Sequence, residues 1–156
     1  MNENEIYMKN LKVEEVPWHR LITAYGRAEK FPEYFDILWK MSSRKAVNTA
    51  FSTITSETEH QSTLWASTPY TIIFLVRIFE HAVLERKNNK IAEELAEKLI
   101  DFFILVAECF CDLDDDETEE PFPNFSDMLE EEYLCPEECD DDELFQLEEE
   151  GPFSQD

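Results

Sequence analysis

Thr68-Pro69-Tyr70-Thr71-Ile72-Ile73-Phe74-Leu75-Val76-Arg77-Ile78-Phe79-Glu80-His81-Ala82-Val83 is the stretch on which the fold turns. A hydroxyl residue followed by proline is a strong helix start, because proline fits the first turn, where no backbone donor is needed. Ile72, Leu75, Val76, Phe79, Ala82 and Val83 then recur at spacings of three and four, and Ile73, Phe74 and Ile78 widen the apolar face. A helix apolar over so much of its circumference is predicted to be central, packed on several neighbours. Only Arg77 interrupts the apolar run.

Working outward, Asn88 and Asn89 break this helix, and Ile91, Leu95, Leu99, Phe102 and Val106 draw a clean stripe for the next. Glu93, Glu94, Glu97 and Lys98 lie on its outward side. Upstream, Ser42 or Ser43 can cap a helix carrying Ala46, Val47, Ala50, Phe51 and Ile54. Pro32 opens another over Glu33 to Met41, where Phe35, Leu38 and Trp39 cluster. Pro17 is expected to start one running to about Ala28, with Trp18, Leu21, Ile22 and Tyr25 on its apolar side. A polar stretch, Glu57 to Ser67, broken by Leu64 and Trp65, precedes the Thr68 helix. Only two glycines, Gly26 and Gly151, stand in 156 residues, which argues against a sandwich or barrel. The reading is an all-α chain of five helices, stacked as antiparallel hairpins.

From residue 112 the character changes. Positions 112–156 hold 21 Asp and Glu and no Lys or Arg, whereas residues 1–111 carry 13 basic against 16 acidic side chains, a balance of −3. Nearly all of the net −24 is therefore in this last segment. The expected organisation is a helical domain at 1–111 followed by an acidic extension at 112–156. Asp112 to Glu120 reads as an acidic linker, and Pro121-Phe122-Pro123 resists regular structure. Ser126 to Leu134 and Pro136 to Glu149 are short helical candidates in which Met128, Leu129, Tyr133, Leu134, Leu144, Phe145 and Leu147 stand among the acids. One expectation is a solvated tail that aids solubility; the other is a segment that orders on a partner or folds back on its own body.

Trp18-His19-Arg20-Leu21-Ile22-Thr23-Ala24-Tyr25-Gly26-Arg27-Ala28, then Phe31-Pro32, and then Glu59-His60-Gln61-Ser62-Thr63 with Ala66, Thr68 and Phe74-Leu75 resembles a group of bacterial HEAT-repeat-like proteins. Those share a W-x-x-L-x-x-A-Y-G-x-A start and an H-Q-x-T element before an apolar helix. The resemblance spans about residues 18–84 and implies a helical-repeat scaffold with no assigned chemistry. In such an array a hairpin cannot bury its apolar face alone, so neighbours stack and leave a concave side for ligands. Gly26 suits a position near a helix end that bulky side chains would not tolerate. His60 and Gln61 are expected to satisfy orphan backbone groups in the connection, the alternative being a ligand-binding or catalytic role.

Catalytic chemistry finds little support in the residues. His19, His60 and His81 are far apart and show no metal-binding spacing. No Gly-rich phosphate loop and no nucleophile elbow are present. Cys109 and Cys111 lie at the end of an apolar helix face and read as buried thiols. With Cys135 and Cys139 they could in principle supply four thiolates, but the spacings are not those of common zinc sites, and dense carboxylates raise thiol pKa values. Asp112, Asp114 and Asp116 alternate like a calcium loop without its glycine or terminal glutamate. No cofactor and no metal are expected. Met1 to Glu5 lacks the basic and apolar parts of a signal peptide, and no apolar run is long enough to span a bilayer, so a cytoplasmic setting is the expectation.

The charge is the more useful clue. A helical tail rising about 1.5 Å per residue would carry a carboxylate about every 3 Å, close to the spacing of about 3.4 Å between phosphates on one DNA strand. Such a segment repels nucleic acid and anionic membranes but attracts the basic clefts that receive them. The sequence therefore points to a non-catalytic inhibitor or immunity-type protein that blocks a basic partner, such as a nuclease toxin. Candidate contact residues are Glu130, Glu131, Glu132, Tyr133, Asp140, Asp141, Asp142, Glu143, Leu144 and Phe145. A general interaction scaffold and a small enzyme using the His60 region are the alternatives.

Overall fold

A computed structural model of the chain describes residues 2–60, 63–113, 127–129 and 134. Among these residues the protein is mostly helical, with α1 (Glu3–Asn10), α2 (Phe31–Lys40), α3 (Arg44–Thr58), α4 (Thr68–Glu85) and α5 (Lys90–Leu113). Two short antiparallel ribbons punctuate them, β1 (Ile22–Thr23) with β2 (Gly26–Arg27) and β3 (Glu59–His60) with β4 (Thr63–Leu64).

The caps follow from residue chemistry. The Ser43 hydroxyl accepts from the Ala46 amide and starts α3. Pro32 and Pro69 occupy the first turns of α2 and α4. Asn89 serves two helices. Its side-chain Oδ1 accepts from Ile91 N–H at the start of α5, and its side-chain Nδ2 donates to the Met41 carbonyl at the end of α2. Met41 itself ends α2 in the left-handed region, φ 48°, with its side chain buried in the core. A non-glycine residue there costs about 1–2 kcal/mol, which the buried thioether side chain offsets.

Helices α2 and α3 form one hairpin and α4 and α5 a second; α2 lies against α4, and α3 against α5. Short connections at 41–43 and 86–89 join the partners of each pair. The central stretch packs on α2 and α5 as predicted, but its buried side is Tyr70, Thr71, Ile73, Phe74, Leu75, Ile78 and Ala82. Of the stripe expected to face the core, Ile72, Phe79 and Val83 are half-buried and Val76 is 39 % exposed. Around it Trp18, Phe31, Phe35 and Phe74 make an aromatic knot with ring centroids 5.3–6.2 Å apart. Arg44 with Glu94 (2.9 Å) and Lys98 with Asn48 (2.6 Å) stitch α3 to α5 at the surface.

The expected helix from Pro17 to Ala28 does not form. Trp18–Arg20 is a single 3-10 turn, and the chain then reverses through β1 and β2, with Thr23 opposite Gly26. Gly26 adopts φ 130°, open to glycine but not to a residue with a Cβ. Ile22 and Thr23 are β-branched and favour the extended backbone, and Tyr25, placed on the apolar side of the expected helix, is 58 % exposed at the turn. The fifth α-helix is instead α1, held by a capping box in which Asn2 and Glu5 exchange backbone bonds. None of its residues is fully buried. It is fixed by Arg77, whose guanidinium donates to the carbonyls of Leu11 (2.6 Å), Met8 (2.6 Å) and Lys9 (3.4 Å). A cation thus satisfies the C-terminal carbonyls of a helix nearly seventy residues away in sequence, and lies 4.9 Å over the Phe74 ring.

Candidate functional site

Two regions compete for function: the junction built by the W-x-x-L and H-Q-x-T segments, and the acidic C-terminal part with the helix that leads into it. In the junction, the turn of the first ribbon meets the end of α3 through Ala24 N–H, which donates to the Glu57 carbonyl at 3.0 Å. Ser67 donates through both its amide and its hydroxyl to the Ile22 carbonyl. The Thr68 hydroxyl accepts from Trp65 N–H and donates to the Thr58 carbonyl, both at 2.9 Å. Thr58 and Thr71 return their hydroxyls to the carbonyls of Ile54 and Ser67. Thr23, Thr58, Ser67, Thr68 and Thr71 are each 1 % exposed or less.

Those buried hydroxyls are the unforeseen part of the junction. Thr68 was expected to cap α4, but it is the first helical residue, and Ser67 precedes it without a side-chain cap bond. The hydroxyls instead join three separate chain segments, meeting backbone groups that the ribbons leave unpaired. His60 lies on β3, paired with Thr63, while its side chain and all of Gln61 fall outside the described residues. Trp65 buries its indole N–H here with no hydrogen-bond partner among the described residues.

Beside the junction, burial raises the Glu57 carboxyl above the usual carboxylate range, and the Lys30 ammonium opposes the shift. Burial, followed by the charges of Glu57 and Glu33, raises the Tyr34 phenol. Glu57 therefore feels Lys30, and Tyr34 feels Glu57, beside the hydroxyl seam. Tyr70, wholly buried, has its phenol pushed up by burial and by Tyr7. On the opposite side of α2, Trp39 is 47 % exposed and stacks on His81 of α4, ring centroids 3.9 Å apart and 9° from parallel.

The C-terminal contact residues named from the sequence, Glu130 to Tyr133 and Asp140 to Phe145, all fall outside the described residues, as do Cys135 and Cys139. What is described of this part leads back to the body. Helix α5 runs on to Leu113, a 3-10 turn forms at Asp127–Leu129, and Leu129 and Leu134 are partly buried against the hydrophobic core. Cys109 is buried on α5. Among the described residues no cluster of His, Cys, Asp and Glu is placed to hold a metal ion, and no helix is long and apolar enough to cross a membrane.

The chain matches no protein-family model, no curated protein and no solved structure. Its own residues therefore carry the functional reading.

Proposed function

We propose that this is a non-catalytic binding protein, an inhibitor or immunity-type protein that occupies the basic cleft of a partner such as a nuclease toxin, with a HEAT-like pair of helical hairpins as its scaffold. The observation that carries the reading is the segregation of charge: 21 carboxylates and no basic side chain in residues 112–156. A cleft built for phosphates is attracted to that density, and encounter is accelerated by it. The layering of α2 on α4 and α3 on α5 supports a stacked-hairpin scaffold. The commitment of the Thr58, Ser67, Thr68 and Thr71 hydroxyls to backbone carbonyls supports an architectural rather than a nucleophilic role for these four residues. One observation favours a second reading: Leu129 and Leu134 pack on the core, as in a scaffold whose tail shields its own body.

The test is capture from host extract by the full chain and by a variant with Asp140, Asp141 and Asp142 changed to Asn and Leu144 and Phe145 to Ser. The expected result is a basic protein held by the native chain alone, released by salt and displaced by duplex DNA or RNA. Equal retention by both proteins refutes the proposal.

A further inference from the structure

Helix α5 presents an outer face that the rest of the body leaves open. Ile100 is 45 %, Ile104 53 % and Leu105 39 % exposed. At about 100° per residue, Ile100, Ile104 and Ala107 fall within an arc of roughly 60°, and Glu97, Glu108 and Asp101 fill the next roughly 40°. Leu105 borders the acids on their far side. Every one of these residues is exposed, and the one lysine in this part of the helix, Lys98, is drawn to Asn48 and the Phe51 ring of α3. An apolar ridge thus runs beside an acidic one.

The apolar ridge does not stop at α5. It continues into a cleft of about 520 Å³ between α4 and α5, where Phe79, Val83, Ala96 and Ile100 form the apolar part of the lining and Glu93 and Glu97 of α5 an acidic part. At its α4 end stand Arg86 and Lys87, so the acidic edge belongs to α5 alone. Soluble proteins seldom leave such a ridge uncovered without a partner for it. Charge selects the occupant. The chain's own segment after residue 113 has no basic side chain, and a second copy docking by the same face brings the same acidic edge; both meet Glu97, Asp101 and Glu108 with like charge.

We infer that the outer face of α5, with the α4–α5 cleft, is a docking groove for a basic amphipathic helix of a partner protein. The helix lays its apolar side on Ile100, Ile104 and the cleft, sets its basic edge against Glu97, Asp101 and Glu108, and is oriented by Arg86 and Lys87 at the far end. The inference rests on the reading of a basic partner and adds a second contact surface to it. The acidic residues that follow α5 draw the partner in, and the groove holds it.

The probe is a synthetic Leu/Lys helix of about 18 residues, compared with a scrambled peptide of the same composition. Binding to the full chain is read by fluorescence anisotropy at high salt. The amphipathic probe is expected to bind about tenfold tighter than the scrambled one. Ile100→Ser with Ile104→Ser, both at exposed positions, should erase that advantage, while Asp140→Asn with Asp141→Asn and Asp142→Asn should slow association of both peptides at low salt and leave the advantage intact. An advantage that survives the isoleucine changes, no advantage at all, or a native chain that self-associates through α5 overturns the groove. Loss of the advantage on the isoleucine changes, with association untouched by the aspartate changes, keeps the groove and overturns the role given to the tail.

Discussion

Replacing Thr68 by valine removes one hydroxyl and almost no volume, which makes it a clean probe of the seam between the two hairpins. That hydroxyl accepts from Trp65 N–H and donates to the Thr58 carbonyl, each at 2.9 Å, and Thr58 and Thr68 are buried. Valine leaves both backbone groups without their partner. Each bond contributes about 1 kcal/mol net, and a buried group left unpaired costs about 1–3 kcal/mol, so the change should destabilise by about 2–4 kcal/mol. At about 4 °C per kcal/mol for a chain of this size, the melting temperature should fall by about 10 °C. Thr53→Val is the control. Its hydroxyl bonds the Thr49 carbonyl on the exposed side of α3, so the substitution should stay within about 0.5 kcal/mol of the native protein. Calorimetry or urea unfolding of both variants reads the difference. If Thr68→Val melts within about 2 °C of Thr53→Val, the hydroxyl network does not hold the hairpins together.

Arg77→Met should release α1, because three backbone carbonyls lose their donor; amide exchange across residues 3–10 should quicken while that of α4 holds, at a cost of about 1–3 kcal/mol. A chain ending at Leu113 should keep its helical circular dichroism and a cooperative melt, but lose about 1–2 kcal/mol with the partly buried Leu129 and Leu134, partly offset by the removal of self-repelling charge; aggregation or loss of helix would show that the C-terminal part belongs to the core. Glu57→Gln should be more stable than the native protein at neutral pH. A carboxyl whose folded pKa is raised above its unfolded value binds its proton more tightly when folded, so the native protein loses stability as pH rises through the folded pKa, and the two proteins should converge as pH falls below the carboxylate range. The same substitution should lower the Tyr34 pKa, visible in a spectrophotometric titration.

The helices from Phe31 onward are legible because each carries its own signals: Pro32, Ser43 and Pro69 mark starts, Asn88 and Asn89 mark a break, and stripes such as Leu95, Leu99, Phe102 and Val106 mark buried faces. Residues 18–28 mislead because Trp18, Leu21, Ile22 and Tyr25 have helical spacing, while the decisive signals are local: two β-branched residues and a glycine at φ 130°. Trp18 and Leu21 are buried as expected, though by a 3-10 turn and a ribbon. Helix α1 shows no helical stripe, only Tyr7 and Met8 partly buried against the core, and a guanidinium from α4 helps to hold it; only the Asn2 and Glu5 pair signals its start. The hydroxyl seam is hidden for a similar reason. Thr58 and Thr68 look like ordinary helix-end residues until β3 and β4 bring their segments together. The acidity of residues 112–156 is legible in composition alone, which gives charge but not shape.

The measurement closest to the central claim is the association rate of a captured basic partner with the full chain as salt is raised. Screening shortens the reach of exposed charges to about 8 Å at physiological ionic strength. The rate should therefore fall steeply with salt, and Asp140→Asn with Asp141→Asn and Asp142→Asn should flatten that dependence, while Leu144→Ala and Phe145→Ala should mainly speed dissociation. A rate indifferent to salt, with binding unchanged when residues 135–156 are removed, would contradict the account.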